Sequence, residues 1–239
     1  LQYVAVAFAG IDHIDMEACA AHGVKVGNCP GYSASAVAEL VFGYLAVLKR
    51  NLLDFDTAVR KGGVRGSFVG TEIGGKTFGI IGFGHIGAAV ARIALAYGCE
   101  VLAYSRTPKN FAGVSFVSLE ELLHRSDIVS LHLPLTDASR GMIDAEQIAM
   151  MKEGAFLINT ARGPIVDSAA LAAALDSGHL GGAGIDVFET EPPISPDHPL
   201  LQCGKLIATP HIGFATVEAF ETRLQMSFQN IADFLTKMK

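Results

Sequence analysis

Tryptophan is missing from this 239-residue chain, and cysteine is scarce. Cys19, Cys29, Cys99 and Cys203 lie far apart with no C-x-x-C, which excludes the paired-thiol pattern of a structural zinc site. No metal is expected, and reduced, mostly buried thiols are. Positive charge is also short: 18 Lys and Arg face 24 Asp and Glu, a formal net charge of -6, with no basic stripe. Nucleic acid is therefore not an expected partner. No apolar run reaches the roughly 20 residues of a membrane span, and no signal-peptide pattern opens the chain, so a cytoplasmic setting without a membrane partner is expected. Internal repeats and low-complexity tracts are absent as well. Methionine does not stand first; residues 1–7 already read as a strand, so the fold is expected to begin before Leu1.

What is present is hydrophobic patterning. Half of the residues are hydrophobic and 18% are charged, which suits a globular α/β protein with buried parallel strands. The chain is long enough for one large or two smaller domains. Its organising stretch runs from Lys76 to Tyr97. Thr77–Ile81 reads as a buried strand, Gly82, Gly84 and Gly87 fit G-x-G-x-x-G, and an alanine-rich helical pattern follows at once. The glycines allow a tight turn, close approach of backbone to a pyrophosphate, and close helix–strand contact. The helix N-terminus offers free N–H groups to phosphate.

Before this stretch, residues 1–7 read as a strand, 16–22 as a helix capped by Asp12 or Asp15, and 24–26 as a second strand. Ser33 or Ser35 is expected to cap a long helix running to Lys49, with helix again over 52–60 and a glycine-rich loop over 61–75. After it, strands are expected at 101–104, 127–133, 155–159, 182–188 and 205–209. Helices are expected at 119–126, 145–151, 167–177 and 216–237. This alternation predicts a doubly wound parallel sheet of Rossmann type with helices on both faces and ligands beyond the strand C-termini.

Three strand ends carry polar residues that packing does not require: Asn159-Thr-Ala-Arg-Gly163, Asp186-Val-Phe-Glu-Thr-Glu-Pro-Pro193 and Thr209-Pro-His-Ile-Gly213. Singly, each also reads as solvated surface or a structural histidine. Together, downstream of the glycine loop and with Cys29-Pro-Gly-Tyr-Ser and His132-Leu-Pro-Leu-Thr136, they closely resemble the D-isomer-specific 2-hydroxyacid dehydrogenases, and within them the glyoxylate and hydroxypyruvate reductases. The resemblance implies a dinucleotide-binding domain over 33–212 and a discontinuous, flavodoxin-like substrate domain over 1–32 and 213–239. The match starts part-way along the family pattern, so the first strands of that substrate domain have no counterpart.

By the same resemblance the catalytic arginine, glutamate and histidine fall on Arg162, Glu191 and His211, with Glu189 the tempting but wrong acid. Arg162 would grip the substrate carboxylate and carbonyl, His211 would supply the proton, and Glu191 would orient its ring and favour imidazolium. Substrate contacts are expected at Ala9, Gly10, Arg162 and His211. Cofactor contacts are expected at Val37, Gly82, Gly84, His85, Ile86, Gly87, Ser105, Arg106, Thr107, Pro134, Thr136, Thr160, Asp186 and Gly213. The residue expected to meet the ribose 2′ position, eighteen beyond Gly87, is Ser105 rather than an acid, and Arg106 follows it. With Lys109 to assist, this predicts NADP(H) in preference to NAD(H), although Arg106 also reads as an exposed loop residue.

The expected activity is reduction of a small 2-keto acid, glyoxylate or hydroxypyruvate. NAD-dependent D-lactate or phosphoglycerate dehydrogenases, and a corepressor-like nucleotide-sensing binder, stand as alternatives. A homodimer is expected through the helix 37–49 and the arm 52–67, whose Phe42, Tyr44, Leu45, Leu48, Leu52 and Phe55 exceed the apolar needs of one helix side.

Overall fold

A computed structural model describes residues 1–236, and the chain divides into two compact units. The first comprises Leu1–Val37 and the chain from Gly213 onward; the second is Ala38–Ile212. In chain order the elements are β1 (Tyr3–Ala5), α1 (Met16–Ala21), β2 (Lys25–Gly27), α2 (Ala34–Arg50) and α3 (Leu52–Arg60). Next come β3 (Thr77–Ile81), α4 (His85–Ala96), β4 (Glu100–Tyr104), β5 (Val114–Phe116), α5 (Leu119–Arg125) and β6 (Ile128–Leu131). The rest are α6 (Ala145–Met150), β7 (Ala155–Asn159), α7 (Ser168–Asp176), β8 (Leu180–Ile185), β9 (Leu206–Ala208) and α8 (Val217–Thr236). Lys237, expected to lie in the closing helix, falls outside the described residues.

The second unit is a seven-stranded sheet in the order β5-β4-β3-β6-β7-β8-β9, every neighbouring pair parallel. The order runs outward in both directions from β3, so the chain switches direction beside the glycine loop, where doubly wound sheets open a crevice. Both faces are covered. Val41, Tyr44 and Leu45 of α2 and Val90, Ala91 and Ala94 of α4 pack with Phe78, Ile80 and Val101. On the other face Leu122, Ile148 and Leu171 pack against Val129, Leu157 and Ala183. Strands buried on both sides explain the unbroken apolar runs of the sequence. The first unit holds a two-stranded parallel sheet of β1 and β2, with Cys29, Tyr32 and Ala219 at its core.

Several expectations shift. Asp15 caps α1, its carboxylate accepting from Ala18 N–H at 2.8 Å. Ser35 lies inside α2 and caps nothing. Asn51 takes a left-handed conformation, φ 53°, and breaks α2 from α3. β5 is an unexpected edge strand. β8 starts at Leu180 rather than 182, because a Cβ on Gly181 would lie 2.4 Å from the Gly154 carbonyl and only glycine lets the strand approach so closely. It ends at Ile185, leaving 186–188 as a connecting segment. Phe42, Tyr44 and Leu45 are core residues of their own unit rather than a free surface. All four cysteines are free thiols, three of them buried.

Candidate active site

Three adjacent strand ends, those of β7, β8 and β9, converge on Asp186. Its N–H donates to Asn159 O at 3.0 Å, its carbonyl accepts from His211 N–H at 2.8 Å, and its carboxylate accepts from Ile212 N–H at 2.8 Å. Thr209 Oγ1 also donates to that carboxylate, and Tyr44 in turn donates to Thr209. Burial, then the Asp186 charge, holds the Tyr44 phenol above its ordinary value, so it stays a donor. Asp186 is 1% exposed, and this net of bonds is how a buried carboxylate is tolerated.

At the end of β7 the Asn159 side chain braces the turn that carries Arg162. Its amide donates to Arg162 O at 2.9 Å and its carbonyl accepts from Ala161 N–H at 3.0 Å. Gly163 follows Arg162, and a Cβ there would fall 1.9 Å from the Phe188 carbonyl carbon. The arginine turn and the acidic segment are thus in backbone contact. Glu191 hydrogen-bonds through both carboxylate oxygens to His211 Nδ1, each at 2.9 Å. His211 has φ 56°, unusual for a residue with a side chain, and such outliers concentrate where function requires a fixed direction. With Nδ1–H committed to Glu191, Nε2 is the ring nitrogen that can pass a proton to a substrate. Of the expected catalytic residues, the structure pairs Glu191 with His211 and sets Arg162 on the turn that abuts 188–189.

The crevice beside the glycine loop is a cleft of about 390 Å³, lined among others by Gly82, Gly84, Ser105, Arg106, Thr107, Pro134 and Thr136. Gly82 is at φ 96°, and a Cβ there would strike the His132 carbonyl at 2.5 Å; a Cβ on Gly87 would strike Gly82 O at 2.3 Å. Gly84 meets nothing within 4 Å. Two glycines thus serve packing, and the third, Gly84, is the N-cap of α4 and leaves open space at its start. Thr160 Oγ1 is buried at the end of β7 without a partner among the described residues. An open glycine at a helix start fits a phosphate of a dinucleotide, and the orphaned Thr160 hydroxyl, outside the lining of that cleft, is free to meet a bound group. His85, Ile86, Gly87, Thr160 and Asp186 are not among the lining residues, and Ala9, Gly10, Val37 and Gly213 belong to the first unit.

Tyr104, Ser139 and Met142 also line the cleft, and sequence reasoning missed them. Ser139 Oγ donates to Pro134 O at 2.7 Å and accepts from Thr136 N–H at 2.8 Å, fixing that loop. The spacing Thr136-x-x-Ser139 was its signal. His132 forms a wall of the cleft; burial alone pushes its imidazole down to about 3, so it is neutral. Among the described residues no group of three or more His, Cys, Asp or Glu could hold a metal ion, and no helix is long and apolar enough to cross a membrane.

Fold and site together define a nicotinamide-dependent oxidoreductase. Residues 42–213 match the family model described as D-isomer specific 2-hydroxyacid dehydrogenase, NAD binding domain. The chain is 42% identical over 222 residues to a hydroxypyruvate reductase of Thermotoga maritima, covering 92% of this chain and 72% of that one. It is 39% identical over 246 residues to a glyoxylate reductase of Thermococcus litoralis, covering 98% and 74%. A solved structure of the acyclic imino acid reductase Bsp5 in complex with NADPH and D-Arg superposes with a TM-score of 0.94 at 33% identity, covering 99% and 76%. The chain belongs to the D-isomer-specific 2-hydroxyacid dehydrogenase family, whose members act on a CH–OH group with a nicotinamide cofactor.

Proposed function

We propose that this protein reduces a small 2-keto acid, glyoxylate or hydroxypyruvate, to the D-2-hydroxy acid with NADPH. The observation that carries this reading is the two-oxygen contact of Glu191 with His211 Nδ1 at 2.9 Å, beside the Arg162 turn. When bound, the nicotinamide supplies the hydride to the carbonyl carbon. Arg162 holds the substrate carboxylate with its planar fork and stabilises the negative charge growing on the carbonyl oxygen. His211 delivers a proton from Nε2 to that oxygen and takes another from solvent, while Glu191 keeps the ring in place. By family likeness Ala9 and Gly10 bind the carboxylate through backbone N–H, Asp186 and Thr160 meet the nicotinamide side, and Val37 and Gly213 complete the cofactor contacts. In this reading the pyrophosphate lies against Gly82, Gly84, His85, Ile86 and Gly87, which the open space at Gly84 at the start of α4 supports.

Ser105, Arg106, Thr107 and Lys109 line the cleft, and their hydroxyls and cations would suit a 2′-phosphate, with no acid among the lining residues to repel it. The relatives' names support the substrate class, and NADPH in the Bsp5 complex supports the cofactor. A homodimer is part of the reading, now resting on the arm: Leu53, Val59 and Val64 are 57%, 68% and 84% exposed. A cytoplasmic setting is likewise part of it.

The test is oxidation of NADPH and of NADH, followed at the nicotinamide absorbance band, over a panel of 2-keto acids. The expected result is turnover with kcat/KM at least about tenfold higher for NADPH, the margin one charged hydrogen bond provides. A preference for NADH overturns the cofactor assignment, and absence of turnover on every keto acid overturns the activity.

A further inference from the structure

Two acids leave the end of β8 two residues apart, and each meets its own histidine. Glu191 pairs with His211; Glu189 Oε2 lies 3.0 Å from His198 Nε2. The second pair has a defined tautomer. His198 Nδ1 accepts from Leu200 N–H at 3.3 Å, so the ring proton sits on Nε2 and is donated to Glu189. The Ser168 hydroxyl bonds the same carboxylate. Burial raises the Glu189 carboxyl, but the bonds from Ser168 and His198 outweigh it and hold the group below its ordinary value.

Glu189 is therefore an anchored anion, whereas Glu191 is not. The Glu191 side chain is 71% exposed, and among the described residues His211 is the only group that holds it. Something else must keep its backbone in place, and the segment just before it is pinned at three points. Asp186 is tied to β7 and β9, the Phe188 ring lies edge-on against His198 with centroids 5.2 Å apart, and the Phe188–Glu189 peptide rests on Gly163.

We propose that Glu189 and His198 form a brace that positions Glu191 against His211, and through Gly163 keeps the Arg162 turn in register with both. They are positioning residues and touch no reacting atom. The proposal deepens the dehydrogenase reading and rests on it for its kinetic arm alone. The brace explains why a segment with two candidate acids needs both. The first is spent on anchoring, so the second can remain exposed and still be aimed.

The test compares the chain with Glu189→Ala, Glu189→Gln and His198→Phe. Gln keeps an acceptor for His198 Nε2–H, and Phe keeps the edge-on ring but removes the donor. The first readout is the proton NMR resonance of His211 Nδ1–H, identified by its loss in His211→Gln. The second is the split between kcat and the keto-acid KM, with Tm measured alongside.

Glu189→Ala and His198→Phe are expected to lose the resonance to exchange. Both should lower kcat by about ten- to a hundredfold, the scale of an ångström of misplacement, with KM within about twofold. Glu189→Gln is expected to retain the resonance and most of kcat. If Glu189→Ala fails to fold, His198→Phe carries the same comparison. A resonance that persists in His198→Phe, or kcat and KM that worsen together with Tm, overturns the brace. Because the resonance needs no turnover, an inactive enzyme would overturn the dehydrogenase reading alone, and the NMR arm would still decide for or against the brace.

Discussion

The two ends of the seven-stranded sheet are built from the same strands and treat polar groups in opposite ways. At the amino ends, most charges are matched, the exception being Lys49, which is 5% exposed and lies over the Phe156 ring with its nitrogen 4.5 Å from the centroid. Asp127 accepts from Thr77 N–H at 2.8 Å and from Lys152 Nζ at 3.1 Å, and Arg125 bonds both Glu121 and Glu100. The orphan on that side, Ser126 Oγ, faces packed interior, 2.3 Å from where a Gly79 Cβ would be. At the carboxyl ends, Thr160 Oγ1 and His132 Nδ1 are buried without partners among the described residues, Gly84 faces open space, and His211 holds a left-handed backbone. One end is closed by packing and largely by ion pairs; the other leaves buried polar groups without such partners and open space at Gly84. Unsatisfied polarity and backbone strain at one end of a sheet separate binding from scaffolding more sharply than charge does.

The largest effect expected from this contrast is at Arg162. Arg162→Gln removes the charged fork and should lower kcat/KM for the keto acid by about 10²–10³-fold, the cost of losing a charge-stabilising donor, with Tm little changed. Arg125→Gln, at the matched end, should leave kcat/KM alone. Equal losses in the two variants would erase the distinction between the ends.

His132 gives the next effect, on stability. Its folded value of about 3 lies below the ordinary 6.5, so between these values the unfolded chain binds the extra proton and stability falls as pH falls. From pH 7 down to about pH 4.5 the difference amounts to about 2–3 kcal/mol from this group. His132→Gln should flatten that part of the urea-unfolding profile against pH. An unchanged slope would mean that the ring is solvated after all.

Ser105→Asp ranks third. A carboxylate facing the 2′ position should lower kcat/KM with NADPH by about tenfold to a hundredfold, the worth of a charged hydrogen bond, and leave NADH within a few-fold. Parallel losses with both cofactors would place the residue outside nucleotide recognition.

How much of this could be read from residues alone follows from how local each signal is. Thr77–Ile81, the glycine loop and the helix after it were legible because strand, turn and helix lie in one continuous stretch whose periodicity changes at the glycines. β5 was not legible, since three residues on a sheet edge, two half-buried and one exposed, are too few to carry a pattern. Nor was the start of β8, where glycines without side chains are placed by contact with Gly154 and Phe156. The surplus apolar residues of α2 read as a surface for another protomer, yet the sheet itself takes up Phe42, Tyr44 and Leu45. At the site, residue types were legible from the residues alone; the pairing of Glu191 with His211 came from the family resemblance, and that of Glu189 with His198 was not foreseen. Nothing local tells whether Glu189 or Glu191 meets His211; that depends on where β9 and the segment holding His198 return.

The smallest effect belongs to the matched end. Burial raises the Asp127 carboxyl, but the Thr77 N–H and Lys152 outweigh it and hold the group below its ordinary 3.8. A depressed carboxylate contributes stability above its unfolded value and loses it as pH falls through that value and below. The Lys152 and Asp127 side chains are 40% and 34% exposed, so solvent screens most of the attraction. Lys152→Met should therefore cost about 0.5 kcal/mol near pH 7 at low salt, less at high salt, and almost nothing near pH 2. It should leave kcat and both cofactor KM values unchanged. A Lys152→Met enzyme with altered turnover would show that the amino ends of the strands are coupled to the cleft, and that the two ends do not divide the labour as their hydrogen bonds indicate.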